Sequence, residues 1–442
     1  MENRIKVSAG LVMAGLLGMA AANWLGARPE SAPVSKTEFA SLGSSKASPG
    51  VMFATVALGG FRGIIADILW MRVSRLQDEG RFFELVQLAD WITGLEPRYP
   101  EVWAYHAWNM AYNVSVMFPN PLDRWRWVEN GVRLLRDEGI PANPREPQLY
   151  WELGWLYADK IGGPWDDAEL FYKVALASEM TRLLGGGFPD YAAIRGNAAW
   201  REHLQEQGLI PDAMEEIDRT LGPFDWRLPA THAIYWAHRA RGVSGYVAWC
   251  ERLVYQELSE IVRNGSLRFD PARQVYLRGP SPDAAMVGIR QLMRHPPTRT
   301  PLVDAAVENF LRESVTYLEA YERHADAAQA WRLLSGRLAE DAKGVTLDAF
   351  LRNDVGERLQ GVPAAGRSAL VEGILIRGLA WQAAGDAACA RALERVARLH
   401  WEVMRYAKVG PGAPPADWAT LTAHARERAG KELPESLRLG RM

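Results

Sequence analysis

Apolar and aromatic residues recur at three- and four-residue intervals along most of this 442-residue chain, the spacing that lines one face of a helix. The clearest stretch is residues 147–175, PQLYWELGWLYADKIGGPWDDAELFYKVA. Tyr150, Leu153, Gly154 and Tyr157 share one helical face. Gly154 has no side chain, so a second backbone can approach it closely. Gly162, Gly163 and Pro164 end this helix, and Asp166 or Asp167 stands where a carboxylate caps the next one. Ala168, Tyr172 and Ala175 form the facing stripe of that second helix. The pattern predicts a helical hairpin.

Other segments can be phased against it. A helix over Phe82–Thr93 ends near Gly94, and Pro97 and Pro100 delimit the next start. Trp103, Ala107 and Met110 then take the places of Tyr150, Gly154 and Tyr157, with Leu122–Arg136 as the second helix. The order aromatic, Leu, Gly, Tyr, then Ala, aromatic, Ala, resembles the tetratricopeptide repeat, with a turn about two residues longer than usual. The blocks NMAYNVSV, DRWRWVENGVRLLRDEGI and KIGGPWDDAELFYK resemble uncharacterised, membrane-anchored bacterial proteins with such repeats, over about residues 58–180. That resemblance implies an all-α chain of hairpins stacked into a superhelix and carries no activity. It also implies that residues one step beyond the packing aromatics face an inner groove: Trp108, Tyr112 and Asn113 in one unit, Trp151, Trp155 and Asp159 in the next. Those aromatics are either binding anchors or side chains covered by neighbouring helices.

Beyond residue 180 the pattern weakens. Gly185-Gly186-Gly187 interrupts the helices, Asp212–Leu221 is a short helix, and residues 223–248 resume an aromatic-rich one. Leu267–Phe269 and Val275–Leu277 can pair as a small hairpin. The proline-rich residues 294–301 mark a loop. Ala327 and Trp331 have second-helix spacing, and in 371–397 Gly378, Trp381, Gly385, Ala390 and Ala397 occupy the small and aromatic positions of a last hairpin. The chain thus divides into repeats over 51–180, an irregular helical middle over 181–300, further repeats over 301–408, and a tail over 409–442 with one helix, Asp417–Arg428.

At the N-terminus, Arg4 and Lys6 precede an uncharged run, Val7–Leu25, of bilayer-crossing length. Gly10, Ala14, Gly18 and Ala22 fall at four-residue intervals, which suits close packing of two membrane helices. A retained anchor in a bacterial inner membrane, with the bulk of the chain in the periplasm, is the leading expectation. A signal peptide cleaved after Ala20-Ala21-Ala22 is the alternative. Residues 26–50, rich in Ser, Pro, Ala and Gly, read as a linker. Val51–Gly60 is too short to span a membrane and reads as a buried helix broken at Gly59-Gly60.

Composition narrows the chemistry. A net charge of -2 argues against nucleic acid as a partner. Cys250 and Cys389 are the only cysteines and read as buried thiols. No phosphate loop, dinucleotide fingerprint, zinc spacing or hydrolase elbow is present, so no cofactor or metal is expected. His232 and His238, six residues apart, suit packing better than shared ligation. The expectation is a non-enzymatic envelope scaffold that binds another membrane or exported protein. Its rivals are a helical-toroid enzyme acting on glycans with two carboxylates and a structural subunit that assembles with its own copies.

Overall fold

Proline starts many of the helices and glycine ends several. Pro100, Pro121, Pro147, Pro211, Pro282 and Pro301 each open a helix, where the fixed φ suits the first turn and the missing N–H has no intrahelical partner to lose. A computed structural model describes residues 62–240, 245–338, 344–406 and 416–438. They belong to a unit running from Leu58 to Met442. The expected anchor with Gly10, Ala14, Gly18 and Ala22, the linker, and the Val51–Gly60 segment lie outside the described residues. Among the described residues no helix is long and apolar enough to cross a membrane.

The described chain is helical apart from one antiparallel hairpin. In order run α1 (Arg62–Asp78), α2 (Phe82–Leu95), α3 (Pro100–Trp108), α4 (Pro121–Arg133), α5 (Pro147–Trp155) and α6 (Glu169–Leu184). Then follow α7 (Tyr191–Gly196), α8 (Ala198–Glu206), α9 (Pro211–Thr220), α10 (Pro229–Ala240) and α11 (Val247–Asn264). Strands β1 (Ser266–Asp270) and β2 (Val275–Gly279) pair with Phe269 opposite Tyr276, as the alternation at 267–277 predicts. The chain closes with α12 (Pro282–Arg294), α13 (Pro301–Ala320), α14 (His324–Ser335), α15 (Leu347–Gln360), α16 (Ala364–Ala383), α17 (Ala387–Tyr406) and α18 (Trp418–Glu432). The aromatic stretch 223–248 is not one helix: Phe224 and Trp226 are buried in the approach to α10, and α11 starts only at Val247.

One apolar core runs from Trp103 to Val396, so the proline loop between α12 and α13 joins helices of the same core. Tyr150, Leu153, Gly154, Tyr157, Ala168 and Tyr172 are all buried, whereas Ala175 is half-buried. The neighbour that approaches Gly154 is not the next helix, α6. A Cβ on Gly154 would stand 3.1 Å from the Ala233 carbonyl oxygen and from Leu253 Cδ2, on α10 and α11. Helix α6 instead turns Tyr172 toward Trp125 of α4, ring centroids 5.9 Å apart. In the C-terminal hairpin, α16 and α17 meet where Gly378 faces Ala390, Gly385 turns the chain with φ +87, and Ala397 is buried. Trp381 leaves that hairpin to donate from Nε1 to the Arg278 carbonyl oxygen of β2 at 3.1 Å. Cys250 and Cys389 are buried, and neither forms a disulfide.

Candidate functional site

Helices α3 and α5 are built alike. Each has nine residues from a first-turn proline, and each continues into a six-residue π-helical segment, Asn109–Val114 and Leu156–Ile161. Trp103 Nε1 donates to the Pro97 carbonyl oxygen at 2.8 Å, and the Tyr150 hydroxyl donates to that of Pro144 at 3.2 Å. In both, an aromatic tip satisfies a loop carbonyl six residues upstream. A π-helical turn carries one residue more per hydrogen-bonded ring than an α-turn and recurs at functional sites. Tyr112 lies in the first such segment, and Asp159 and Lys160 lie in the second.

The sequence-predicted groove residues form two stacked pairs joined by one hydrogen bond. Trp108 stacks on Tyr112 with centroids 5.5 Å apart, and Trp151 stacks on Trp155 at 5.7 Å. The Tyr112 hydroxyl donates to Asp159 Oδ2 at 2.8 Å, linking the two helices. Asn113 bonds within its own helix, from Nδ2 to Asn109 Oδ1 at 2.9 Å. Trp151 also reaches Tyr246 and, on α11, Trp249, at 6.2 and 5.7 Å. Arg252 then lies over the Trp249 ring at 5.8 Å. Tyr112, Trp151, Trp155 and Tyr246 rest one flank on the core. Trp108 and Trp249 are 39 % and 40 % exposed. Tyr246 and Trp249 escaped the sequence reading because nothing local to residues 246–249 ties them to a helix nearly a hundred residues away.

Carboxylates flank the aromatics. Burial pushes the Glu152 carboxyl up to about 7, against a hydrogen bond from Gln148. Glu257, on the buried side of α11, is pushed up to about 8 by burial, with the Glu260 charge adding to the effect. Both groups therefore hold protons far more readily than an ordinary glutamate.

Asp166 is not the helix cap expected from its place in sequence. Ala168 occupies the cap position of α6 and makes no side-chain cap. Asp166 is instead a buried hub: it accepts from Lys160 Nζ at 2.6 Å, Arg124 at 2.9 Å, the Tyr172 hydroxyl at 3.0 Å and the Ala168 N–H at 2.9 Å. Burial alone would raise its pKa, but Lys160, the backbone N–H and Tyr172 together hold it below the ordinary carboxylate range. The exposed Asp167 pairs with Arg124. Arg124, Lys160, Asp166 and Asp167 line a cavity of about 420 Å³ with Tyr112, Val116, Asp159 and Trp165.

A larger cleft of about 1150 Å³ opens between α11, α13 and α15. In it the buried Glu313 accepts from Arg263 at 3.0 Å and Arg358 at 2.7 Å, and the buried Asp354 accepts from Arg312 at 2.8 Å. Its lining carries Arg252, Arg263, Arg312 and Arg358 against Glu308, Glu313, Asp354 and Glu357, a balanced set. Arg252 belongs both to this cleft and to the aromatic surface. The sequence offered no signal for the cleft, since each charge alone reads as a solvated helix face.

Of the two histidines, His232 is buried, stacks on Tyr157 at 4.8 Å, and donates from Nε2 to the Trp226 carbonyl oxygen at 2.9 Å. Among the described residues no group of His, Cys, Asp and Glu is arranged to hold a metal ion. No family model, curated protein or solved structure matches this chain.

Proposed function

We propose that the chain is a non-enzymatic scaffold of tetratricopeptide-like hairpins stacked into a superhelix, whose aromatic surface holds an extended apolar segment of another envelope protein. One observation carries this reading. Trp108, Tyr112, Trp151, Trp155, Tyr246 and Trp249 come from three parts of the chain, form two sets of ring contacts linked by the Tyr112–Asp159 bond, and are each only partly buried. Aromatics that serve packing alone, such as Phe224 and Phe310, are fully buried here. A half-buried indole is held rigid at little entropic cost, so it makes a strong anchor for a bound segment.

Trp108→Ala and Trp249→Ala test the reading, because both side chains are exposed enough to be removed without opening the core. Each variant is recovered from detergent-solubilised membranes, and its co-purifying proteins are compared with wild type by mass spectrometry. A partner whose recovery falls about tenfold, from a variant that melts as wild type does, supports the surface. Equal recovery of every partner removes it.

The same proposal places Val7–Leu25 in the inner membrane and the described residues in the periplasm, from Arg4 and Lys6 ahead of the apolar run. A reporter that is active only in the periplasm, fused after Met442, should work, and a cytoplasmic reporter there should not. The reverse pattern ends the envelope assignment.

A further inference from the structure

The long turn between α5 and α6 has no part in the aromatic surface, yet it displays Trp165 with 80 % of the residue exposed. The turn is bent back on purpose-made backbone: a Cβ on Gly163 would overlap the Asp159 carbonyl and stand 2.9 Å from Trp165 Cδ1. Only glycine there lets the indole lie beside the helix end that carries Asp159. The cavity next to it, about 420 Å³, draws Tyr112 from one π-helical segment and Asp159 and Lys160 from the other.

The charges of this cavity do not balance. Its cations are Lys160 and Arg124, its carboxylates Asp159, Asp166 and Asp167. Both cations are withdrawn from solvent, with side chains 5 % and 13 % exposed; Lys160 is engaged by Asp166, and Arg124 by both Asp166 and Asp167. Asp159 is left with a neutral partner, the Tyr112 hydroxyl, and makes no ion pair among the described residues. What the cavity offers a guest is thus an uncompensated carboxylate beside an open aromatic face.

We propose that this pocket binds a guanidinium group, the side chain of an arginine on a bound polypeptide. The planar cation lies on the Trp165 indole and donates to the Asp159 carboxylate. An indole face attracts a cation through its quadrupole, and a carboxylate accepts from guanidinium in the same plane. A neutral sugar would stack on the indole but leave the Asp159 charge uncompensated. The pocket shares Tyr112 with the aromatic surface but draws on neither Trp108 nor Trp249, so failure here leaves the partner-recovery test untouched.

Saturation-transfer NMR on the full chain in detergent tests it, with Nα-acetyl-arginine amide as the probe and Nα-acetyl-citrulline amide as its uncharged isostere. The arginine probe should saturate, the citrulline probe should not, and added salt should weaken binding. Trp165→Ala and Asp159→Asn should each weaken the arginine probe about tenfold. Trp165→Ala removes an exposed side chain and should melt as wild type does, while Asp159→Asn keeps a neutral acceptor for Tyr112 and should lose less stability than Tyr112→Phe. Equal binding of the two probes, unchanged binding in both variants, or no saturable binding overturns the proposal. Saturation by N-acetylglucosamine with none by the arginine probe overturns it in favour of a saccharide.

Discussion

Tyr112 and Asp159 hold the same position in two helices of identical construction, 47 residues apart, and they bond to each other at 2.8 Å. The contact ties one unit to the next through a hydroxyl and a carboxylate. Burial, then the Asp159 charge, holds the Tyr112 phenol well above the ordinary tyrosine range, so it stays a donor at any working pH. Tyr112→Phe should lower stability by about 1.5–3 kcal/mol, the worth of a hydrogen bond to a charged group. A shift of the urea midpoint measures it, and an unchanged midpoint would mean the bond contributes nothing.

Asp166→Ala should cost about 3–5 kcal/mol, because it strands Lys160 in a buried site and leaves Arg124 only the exposed Asp167. The loss of a simple helix cap would cost only about 1 kcal/mol. The acid limb carries a second signature. Asp166 titrates below its ordinary value of 3.8 in the fold, so its contribution is present above that pH and is lost as the pH falls toward the folded value. The stability gap between wild type and Asp166→Ala should therefore narrow in thermal melts taken from pH 5 down to pH 2.

Glu257 has the opposite sign. Its folded pKa of about 8 lies above the ordinary 4.5, so the stability it lends is complete below 4.5 and is lost as the pH rises through 8. Glu257→Gln has no proton to lose there. Melting temperatures of the pair from pH 6 to pH 9 should show wild type falling relative to the variant; parallel curves would refute the buried, proton-holding state.

Gly154→Leu should destabilise by roughly 1–3 kcal/mol through overpacking. The strain falls between α5 and the helices α10 and α11, since Ala233 and Leu253 already stand at contact distance. Trimming the neighbour with Leu253→Ala should relieve part of that cost, and a strictly additive double mutant would place the clash elsewhere.

Helix starts, helix ends and the small β-hairpin were legible along the chain because they depend on nearest neighbours. A proline presets a first turn, a glycine permits a last one, and alternation marks a strand, so the helix expected at 212–221 is observed as α9 over Pro211–Thr220. Tyr150, Leu153 and Tyr172 were placed inside by periodicity alone. Choice of partner was not legible. That α10 rather than α6 covers Gly154, that Asp166 gathers Arg124, and that Trp249 meets Trp151 are contacts between segments far apart in sequence. Each is selected by which surfaces fit once every helix is present. The π-helical turns that aim Tyr112 and Asp159 at each other belong with them, for their stability comes from the packing around them, and no residue spacing announces it.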